Sequence, residues 1–333
     1  MRWKSRIGIT ILTGGIVLVI ASLLSISIGS YPLSFGDILR IVKGECQDAM
    51  SVRVFYTLRI PRVCVGLLAG FSLGISGAVF QLLFQNPLAS PDLVGVSSGA
   101  SLGSAASIVL GAGSVAEMMA GSFLGGMGAL GVVLLLVKIS GRKSTGTYIL
   151  AGIMISAFSN ALIMILKYMA DTEGELAAID FWTMGSLASV TYHKLRIIVV
   201  PIVIVITLIL FLRKEVLILS LGDDQASSLG MNSNAMRMLL LTLCTVATAS
   251  VITVTGVISF VGLLAPHITF LMTGRRSSGF LLGSGIFGSI LVLVADCFAR
   301  SAVHGELPTS ILTTLCALPF FLYFMCKQKG GAV

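Results

Sequence analysis

Charged side chains are scarce in this sequence of 333 residues, since Asp, Glu, Lys and Arg together make up only 11% of it. A soluble domain usually carries about 25% of these residues. Hydrophobic residues account for 56%, and a soluble fold of this size cannot bury that much apolar surface. The composition therefore excludes a cytosolic enzyme and a disordered chain. Long, unbroken apolar runs favour a polytopic helical membrane protein.

Metal-binding and nucleotide-binding patterns are also missing from the sequence. The six cysteines form no C-x-x-C pair and show no metal-site spacing, so we interpret them as structural. There is no G-x-x-x-x-G-K-[ST] phosphate loop, because the segment 141–145 contains Lys-Ser but lacks the spaced second glycine. We therefore expect no metal, no cofactor and no ATP site in this chain, and no enzymatic reaction.

Apolar runs of membrane-crossing length are abundant instead. A bilayer core of about 30 Å requires roughly 20 apolar residues per helix. One charge-free stretch, Met238–Gly274, is too long for a single crossing, so we divide it, with Gly256, Gly262 and Pro266 as candidate breaks. The ten predicted spans are Ile7–Ile28, Val63–Leu83, Leu93–Leu110, Met118–Val137, Tyr148–Leu166, Ile197–Leu212, Met238–Gly256, Val257–Gly274, Phe280–Ala295 and Leu307–Cys326.

These runs predict an all-α fold with about ten transmembrane helices in a single domain covering residues 1–333. Spans two to five and seven to ten start from opposite sides, which is the arrangement of inverted repeats in transporters. Gly66, Gly70 and Gly74 recur at four-residue spacing on the second span. Such glycine faces predict close helix packing, either within one subunit or at a subunit interface or pore.

The basic residues set the orientation, because cytoplasmic loops carry an excess of Lys and Arg. Most of the 22 basic residues, including Arg142 and Lys143, fall on the inner side if both termini lie inside. Five residues on the outer side crowd between the first two spans and need a separate explanation. They are Arg40, Lys43, Arg53, Arg59 and Arg62.

The spans contain almost no ionisable residues at mid-depth. Ion-coupled carriers usually place Asp, Glu, His or Arg there. This scarcity argues against an ion-coupled secondary carrier, although a sodium site built from backbone carbonyls stays open.

Four segments carry the most specific patterns in the chain. They are Arg59-Ile60-Pro61-Arg62, the segment Gln85–Gly95 (QNPLASPDLVG), the segment Leu221–Gly230 (LGDDQASSLG) and the segment Gly256–His267 (GVISFVGLLAPH). Together they closely resemble the permease subunits of ATP-binding-cassette (ABC) importers for iron–siderophore complexes, haem and vitamin B12. The resemblance covers nearly the whole chain, from about Ile7 to Cys326.

The resemblance implies a set of partners. A second permease subunit, identical or paralogous, would complete a central pathway through the membrane. Two cytosolic ATPase subunits would hold ATP and Mg and drive the motion, and an extracytoplasmic substrate-binding protein would deliver the cargo. The chain would lie in the cytoplasmic membrane of a bacterium or archaeon, in contact with lipid and not with nucleic acid.

The third segment predicts a short inner-face helix of about nine residues. Ser220 and Asp223 form an [ST]-x-x-[DE] capping pattern, and Gly230 is suited to ending the helix. The resemblance implies that this is the coupling helix, near 220–230, that docks on the ATPase; a plain surface helix is the alternative. The residues assigned to coupling are Asp223, Asp224, Ala226, Leu229 and Gly230, with Ala226 and Leu229 as the contact face.

Three arginines on the outer face are candidates for docking the binding protein. Arg59 and Arg62 flank Pro61, and Arg300 follows the ninth span. Arginine pairs with carboxylates through a two-pronged fork, and the resemblance implies acidic partners on the binding protein. Anchoring to lipid headgroups is the alternative for Arg59 and Arg62, and pairing with Asp296 one turn earlier is the alternative for Arg300.

Two inner segments are candidates for a gate or an inner loop. The resemblance places Thr145, Gly146 and Thr147 where the pathway narrows, while Asn86 and Pro87 form a tight turn that is either a helix stop or an ATPase contact. The resemblance thus implies the permease of an importer, with an iron(III)–siderophore complex as the expected cargo. A haem or cobalamin importer of the same family and, from another class, an ion-coupled carrier are the alternatives.

Overall fold

The computed structural model describes residues 2–29, 31–111, 114–141, 144–172, 174–302 and 306–329, and within these ranges it contains helices and no strand. Arg142 and Lys143, which we counted among the inner charges, lie outside the described residues. The helices are α1 (Arg2–Ser27), α2 (Phe35–Lys43), α3 (Ala49–Arg53), α4 (Ile60–Leu83), α5 (Val96–Leu110), α6 (Val115–Ser140), α7 (Thr145–Met169), α8 (Glu175–Met184), α9 (Tyr192–Phe211), α10 (Arg213–Leu219), α11 (Asp223–Ser228), α12 (Ser233–Thr255), α13 (Val261–Thr273), α14 (Ser278–Ser301) and α15 (Thr309–Lys329).

Each of the ten predicted spans corresponds to one helix, so the all-helical prediction is confirmed. In the part of the chain that the structure describes, seven helical segments are long and apolar enough to cross a membrane on their own. The helices α5, α13 and the part of α15 up to Leu322 are apolar but shorter. The inverted-repeat relation between the two groups of spans stays a prediction.

Three breaks were predicted within Met238–Gly274. The break at Gly256 is correct, and those at Gly262 and Pro266 are wrong. Helix α12 ends at Gly256, whose φ of 66° lies in the left-handed region that glycine tolerates. Gly262 and Pro266 both lie inside α13 rather than at a break. The backbone of Gly262 packs against Gly77 of α4 within the helix. At Pro266, neighbouring helices in a membrane compensate for the hydrogen bond that proline cannot make.

Close packing of glycine-rich helices builds the centre of the chain. A Cβ on Gly70 or Gly74 of α4 would collide with the backbone carbonyls of Gly288 and Ser284 on α14. Gly103 of α5 approaches the Gly121 backbone of α6 in the same way. The predicted glycine faces therefore pack within one subunit, where small residues let helix backbones approach each other in lipid.

A folded outer segment connects α1 to α4. Ser34 caps α2 by accepting a hydrogen bond from the backbone of Asp37, whose carboxylate in turn accepts from the Ser34 backbone. A π-helical turn at Val54–Arg59 then leads directly into α4. This turn fixes where Arg59 and Arg62 point, and π-helical turns are common at functional sites.

Candidate functional site

The outer end of α4 carries Arg62, which is fixed by two carboxylates. Its Nη2 lies 2.9 Å from Oδ1 of Asp296 on α14. Its Nη1 donates to both oxygens of Glu306, at 3.0 and 2.8 Å. Asp296 is completely buried, whereas the Glu306 side chain is about one third exposed. Arg62 therefore joins α4 to α14 and to the segment that follows α14.

Arg300 and Arg59 converge on the same place from two other elements. Arg300 lies 3.1 Å from Asp296, one turn earlier on α14, and its Nη2 also donates to the hydroxyl of Ser25 on α1 at 2.8 Å. Arg59 donates to the backbone carbonyls of Ile28 and Tyr31. Among the described residues, Arg59 forms no ion pair.

The structure thus brings together the three arginines that the sequence analysis selected, and it buries all three. Arg59, Arg62 and Arg300 are only 5%, 8% and 5% exposed. They line a cavity of about 530 Å³ that also contains Tyr31 and Glu306. Pairing of Arg300 with Asp296, one of the alternatives drawn from the sequence, is present, and Glu306 is a further member of the cluster that the sequence analysis did not assign.

Within the described ranges, three guanidinium groups face two carboxylates in this cluster. The cluster therefore carries one positive charge more than its own acids neutralise, and Arg59 contributes it. An unneutralised guanidinium in a cavity attracts a carboxylate more strongly than one in open water. The arrangement is suited to receiving an acidic group from outside the chain.

A second network beside the cavity orders the outer segment. Asp48 accepts hydrogen bonds from the hydroxyl of Ser51 at 2.5 Å and from the hydroxyl of Tyr31 at 3.0 Å. The Ser51 hydroxyl, followed by that of Tyr31, lowers the pKa of Asp48 below its usual value of 3.8. Tyr31 thereby connects this network to the arginine cavity through its carbonyl bond with Arg59.

The inner face carries α11, which differs from the predicted coupling helix in length and capping. It covers Asp223–Ser228, six residues rather than about nine. Ser220 does not cap it, because its hydroxyl donates instead to the carbonyl of Leu217 in the preceding helix. Gly230 does adopt the left-handed conformation, with φ of 79°.

An ion pair connects α11 to a transmembrane helix. Nη2 of Arg237 on α12 lies 2.6 Å from Oδ1 of Asp223, and Arg237 is almost completely buried. The sequence analysis assigned Asp223 to ATPase coupling and did not identify Arg237 as its partner. The spacing of 14 residues places the two groups on different helices, so helix periodicity gives no signal for the pair.

The predicted contact face of α11 is wrong in one residue. Ala226 is fully buried against the rest of the chain and is not accessible to another subunit. Leu229 is 65% exposed, and Asp224 is exposed as well. The outward surface of this segment therefore includes the charge of Asp224 and the apolar side chains of Leu229 and Leu221.

The two inner-loop candidates are ordered turns. The side chain of Asn86 accepts a hydrogen bond from the Leu88 backbone at 2.9 Å, which closes a tight turn after α4. Pro87 in this turn is exposed. Ser144 caps α7 by accepting from Thr147, so Thr145, Gly146 and Thr147 form the first helical turn, with Gly146 exposed.

The apolar helices of membrane length indicate a multi-pass membrane protein, with a charged cluster at one end and a short helix tied to a span at the other. A family model described as the FecCD transport family matches residues 17–327. The chain belongs to this family and is an ABC importer permease.

Named relatives and a solved structure are similar over nearly the full length. The molybdate import system permease protein MolB of Haemophilus influenzae is 33% identical, over 99% of this chain and 97% of its own. The ferric enterobactin transport system permease protein FepD of Escherichia coli is 32% identical, over 95% of both chains. A solved structure described as a metal-chelate type ABC transporter in an inward-facing conformation is 32% identical, with a TM-score of 0.87, over 95% of this chain and 98% of its own.

Proposed function

We propose that this chain forms half of the membrane pathway of an importer for an iron(III)–siderophore complex. A second permease subunit completes the pathway in the cytoplasmic membrane, two separate ATPase subunits drive it, and an extracytoplasmic binding protein supplies the cargo. The observation that carries the proposal is the ion pair between Asp223 and Arg237, which ties an exposed inner helix to a membrane span.

The inner contact explains how ATP binding elsewhere would move the pathway. Leu229 and Leu221 present exposed apolar surface beside α11, and Asp224 supplies a charge. An ATPase subunit that grips this surface displaces α11, and the Asp223–Arg237 pair passes the displacement to α12. ATP and Mg stay on the partner, and the permease itself performs no chemistry.

The outer contact explains how a loaded binding protein would be recognised. The excess positive charge of the cluster around Arg59 attracts an acidic side chain on the binding protein. Docking at a cluster that joins α1, α4 and α14 applies force to three spans at once. Asn86, Pro87 and the turn at Thr145–Thr147 lie at the opposite end, where an inner gate or an ATPase contact belongs.

Iron chelates are the cargo that the comparisons favour, since a ferric enterobactin permease and a metal-chelate transporter are both similar over 95% of this chain. Haem and cobalamin are alternative cargoes within the family, and the similarity to a molybdate permease adds molybdate as a further alternative.

The cargo is tested with the complete transporter in liposomes, assembled with its own binding protein and ATPases. Radiolabelled iron bound to catecholate, hydroxamate or citrate chelators is compared with hemin, cobalamin and molybdate. We expect saturable, ATP-dependent uptake of at least one iron–siderophore complex. Uptake of molybdate, hemin or cobalamin with no uptake of any iron–siderophore complex would refute the proposed cargo.

A further inference from the structure

Asp92 is a carboxylate that none of the preceding assignments uses. It lies in the short 3-10 turn Pro91–Val94 before α5. Its side chain accepts a hydrogen bond from the hydroxyl of Ser97, and within the described ranges it forms no ion pair. The residue is exposed at the surface of the single chain.

Two neighbours place Asp92 near the middle of the membrane. It shares a crevice with Leu73, which lies ten residues, or roughly 15 Å, from the inner end of α4. Gly95, three residues after Asp92, packs beside Ile155 and Ser156, which lie a similar distance into α7. The bilayer core is about 30 Å thick, so this turn re-enters the membrane to about half its depth.

A carboxylate at that depth is not stable against hydrocarbon, and such groups face protein or a water-filled cavity. Ser97 belongs both to the crevice around Asp92 and to an adjoining cleft of about 380 Å³. Ser98, Ser101 and Asn160 add hydroxyl and amide groups to that cleft, and its other lining residues are apolar except for Thr183 and Lys167. The surface of α7 away from the cleft is apolar, with Phe158 62% exposed.

The charges around the cleft are unevenly neutralised. Lys167 lines its outer part, and its Nζ lies 2.5 Å from the carboxylate of Asp180 on α8. That pair carries no net charge. Among the residues that line the crevice and the cleft, Asp92 is therefore the carboxyl group that has no basic partner within the described ranges.

We propose that Asp92 is a cargo-contacting group in the wall of the translocation pathway, where it favours cargo that presents positive charge or hydrogen-bond donors over a bare oxyanion. This inference rests on the proposed function for the identity of the pathway. It separates cationic and donor-bearing cargo from anionic cargo, which includes ferric catecholate and citrate complexes as well as molybdate. The cleft that continues from Ser97 supplies additional hydrogen bonds of moderate strength, which suits a group that must release its cargo.

The test measures the local charge directly with thiol reagents of opposite sign, so it requires no cargo. Ser98→Cys is introduced into the complete transporter in lipid nanodiscs. Its reaction with a trimethylammonium-ethyl and a sulfonato-ethyl methanethiosulfonate is followed by peptide mass spectrometry, which separates position 98 from the native cysteines. Phe158→Cys on the apolar surface of α7 is the matched control.

We expect Ser98→Cys to react and to prefer the cationic reagent, relative to a free thiol in solution. Adding Asp92→Asn, which keeps the shape and the hydrogen bond with Ser97, should lower that preference about threefold or more. Phe158→Cys should react with neither reagent. If Ser98→Cys is unreactive, if its preference is unchanged by Asp92→Asn, or if Phe158→Cys reacts equally, the inference is wrong.

The test remains decisive even if the Asp92→Asn variant fails to assemble, because the effect of salt can be measured without it. In the chain that retains Asp92, high salt should reduce the preference of Ser98→Cys toward that of the free thiol, because ions screen the carboxylate. A preference that does not respond to salt contradicts the inference. Failure of iron uptake with the expected labelling would overturn the proposed cargo and leave the charged pathway wall intact.

Discussion

Arg62 and Asp296, which lie 234 residues apart in the sequence, form a buried ion pair that joins α4 to α14 at the outer end of the bundle. Asp296 is shared, because Arg300 pairs with its other oxygen at 3.1 Å. One carboxylate thus partly neutralises the positive charges of two buried guanidinium groups. The outer arginines consequently serve the structure of the permease as well as any docking surface.

Removing the shared carboxylate should destabilise the protein strongly. Asp296→Asn leaves Arg62 and Arg300 buried with too little negative charge, and breaking a buried ion pair in this way costs about 3–5 kcal/mol. The control, Asp180→Asn, breaks a pair whose members are both more than a third exposed on their side chains and should cost about 1 kcal/mol or less. Denaturation in mixed micelles checks both values, and equal losses would contradict a structural role for Asp296.

Adding one methyl group at the contact between α4 and α14 should also be costly. In Gly70→Ala the new Cβ meets the carbonyl of Gly288, so the helices must separate. We expect a loss of about 1–3 kcal/mol in the free energy of unfolding. Gly131→Ala on α6, where a Cβ meets nothing within 4 Å, should be neutral or stabilising by up to about 1 kcal/mol. A stable Gly70→Ala variant would show that the helices do not pack this closely.

Coupling through α11 predicts a specific loss of function. Asp223→Asn should keep the permease folded but lower substrate-stimulated ATP hydrolysis and transport about tenfold, because α11 no longer moves together with α12. Asp224→Asn is the comparison variant, since it removes an exposed charge from the proposed ATPase contact without breaking an ion pair among the described residues, and we expect a smaller loss.

Exchanging the charges of Asp223 and Arg237 tests whether the ion pair itself is required for coupling. The double variant Asp223→Arg with Arg237→Asp restores the ion pair in reverse, and it should recover part of the lost transport. If Asp224→Asn is as harmful as Asp223→Asn, or if the exchange recovers nothing, the surface contact rather than the ion pair carries the coupling.

Docking of the binding protein should depend on Arg59. Arg59→Gln removes the excess positive charge and should weaken binding of the loaded binding protein at least about tenfold, which corresponds to 1.4 kcal/mol. Arg40→Gln, an exposed charge on α2, should change the affinity much less. Surface plasmon resonance on nanodisc-embedded complexes measures both. An unchanged affinity for Arg59→Gln in a folded complex would assign the arginine to structure alone.

The sequence predicted the membrane helices well, because runs of about 20 apolar residues are a strong local signal. The outer helix α2 was missed even though Ser34 and Asp37 form an [ST]-x-x-[DE] capping pattern. The same pattern at Ser220 was misleading, since the hydroxyl of Ser220 bonds back to Leu217. A local pattern of this kind does not show whether the serine caps the helix that follows it or donates its hydroxyl to the helix that precedes it.

Partners that are distant in sequence could not be predicted. The bonds from Arg62 to Asp296 and from Arg300 to Ser25 depend on which helices pack together, and the spacing within a single sequence does not encode that choice. The burial of Ala226 and the re-entry of Asp92 into the membrane have the same origin. Residue type and motif therefore located the candidate regions, and tertiary packing determined which side chains are accessible there.

The central claim is that the motion of this permease is powered by nucleotide hydrolysis on separate subunits. The most direct measurement reconstitutes the permease in liposomes with and without its ATPases and supplies the loaded binding protein. The account predicts cargo uptake that requires the ATPases and hydrolysable ATP, and that is unaffected when sodium and proton gradients are collapsed. Uptake by the permease alone, driven by an ion gradient, would contradict it.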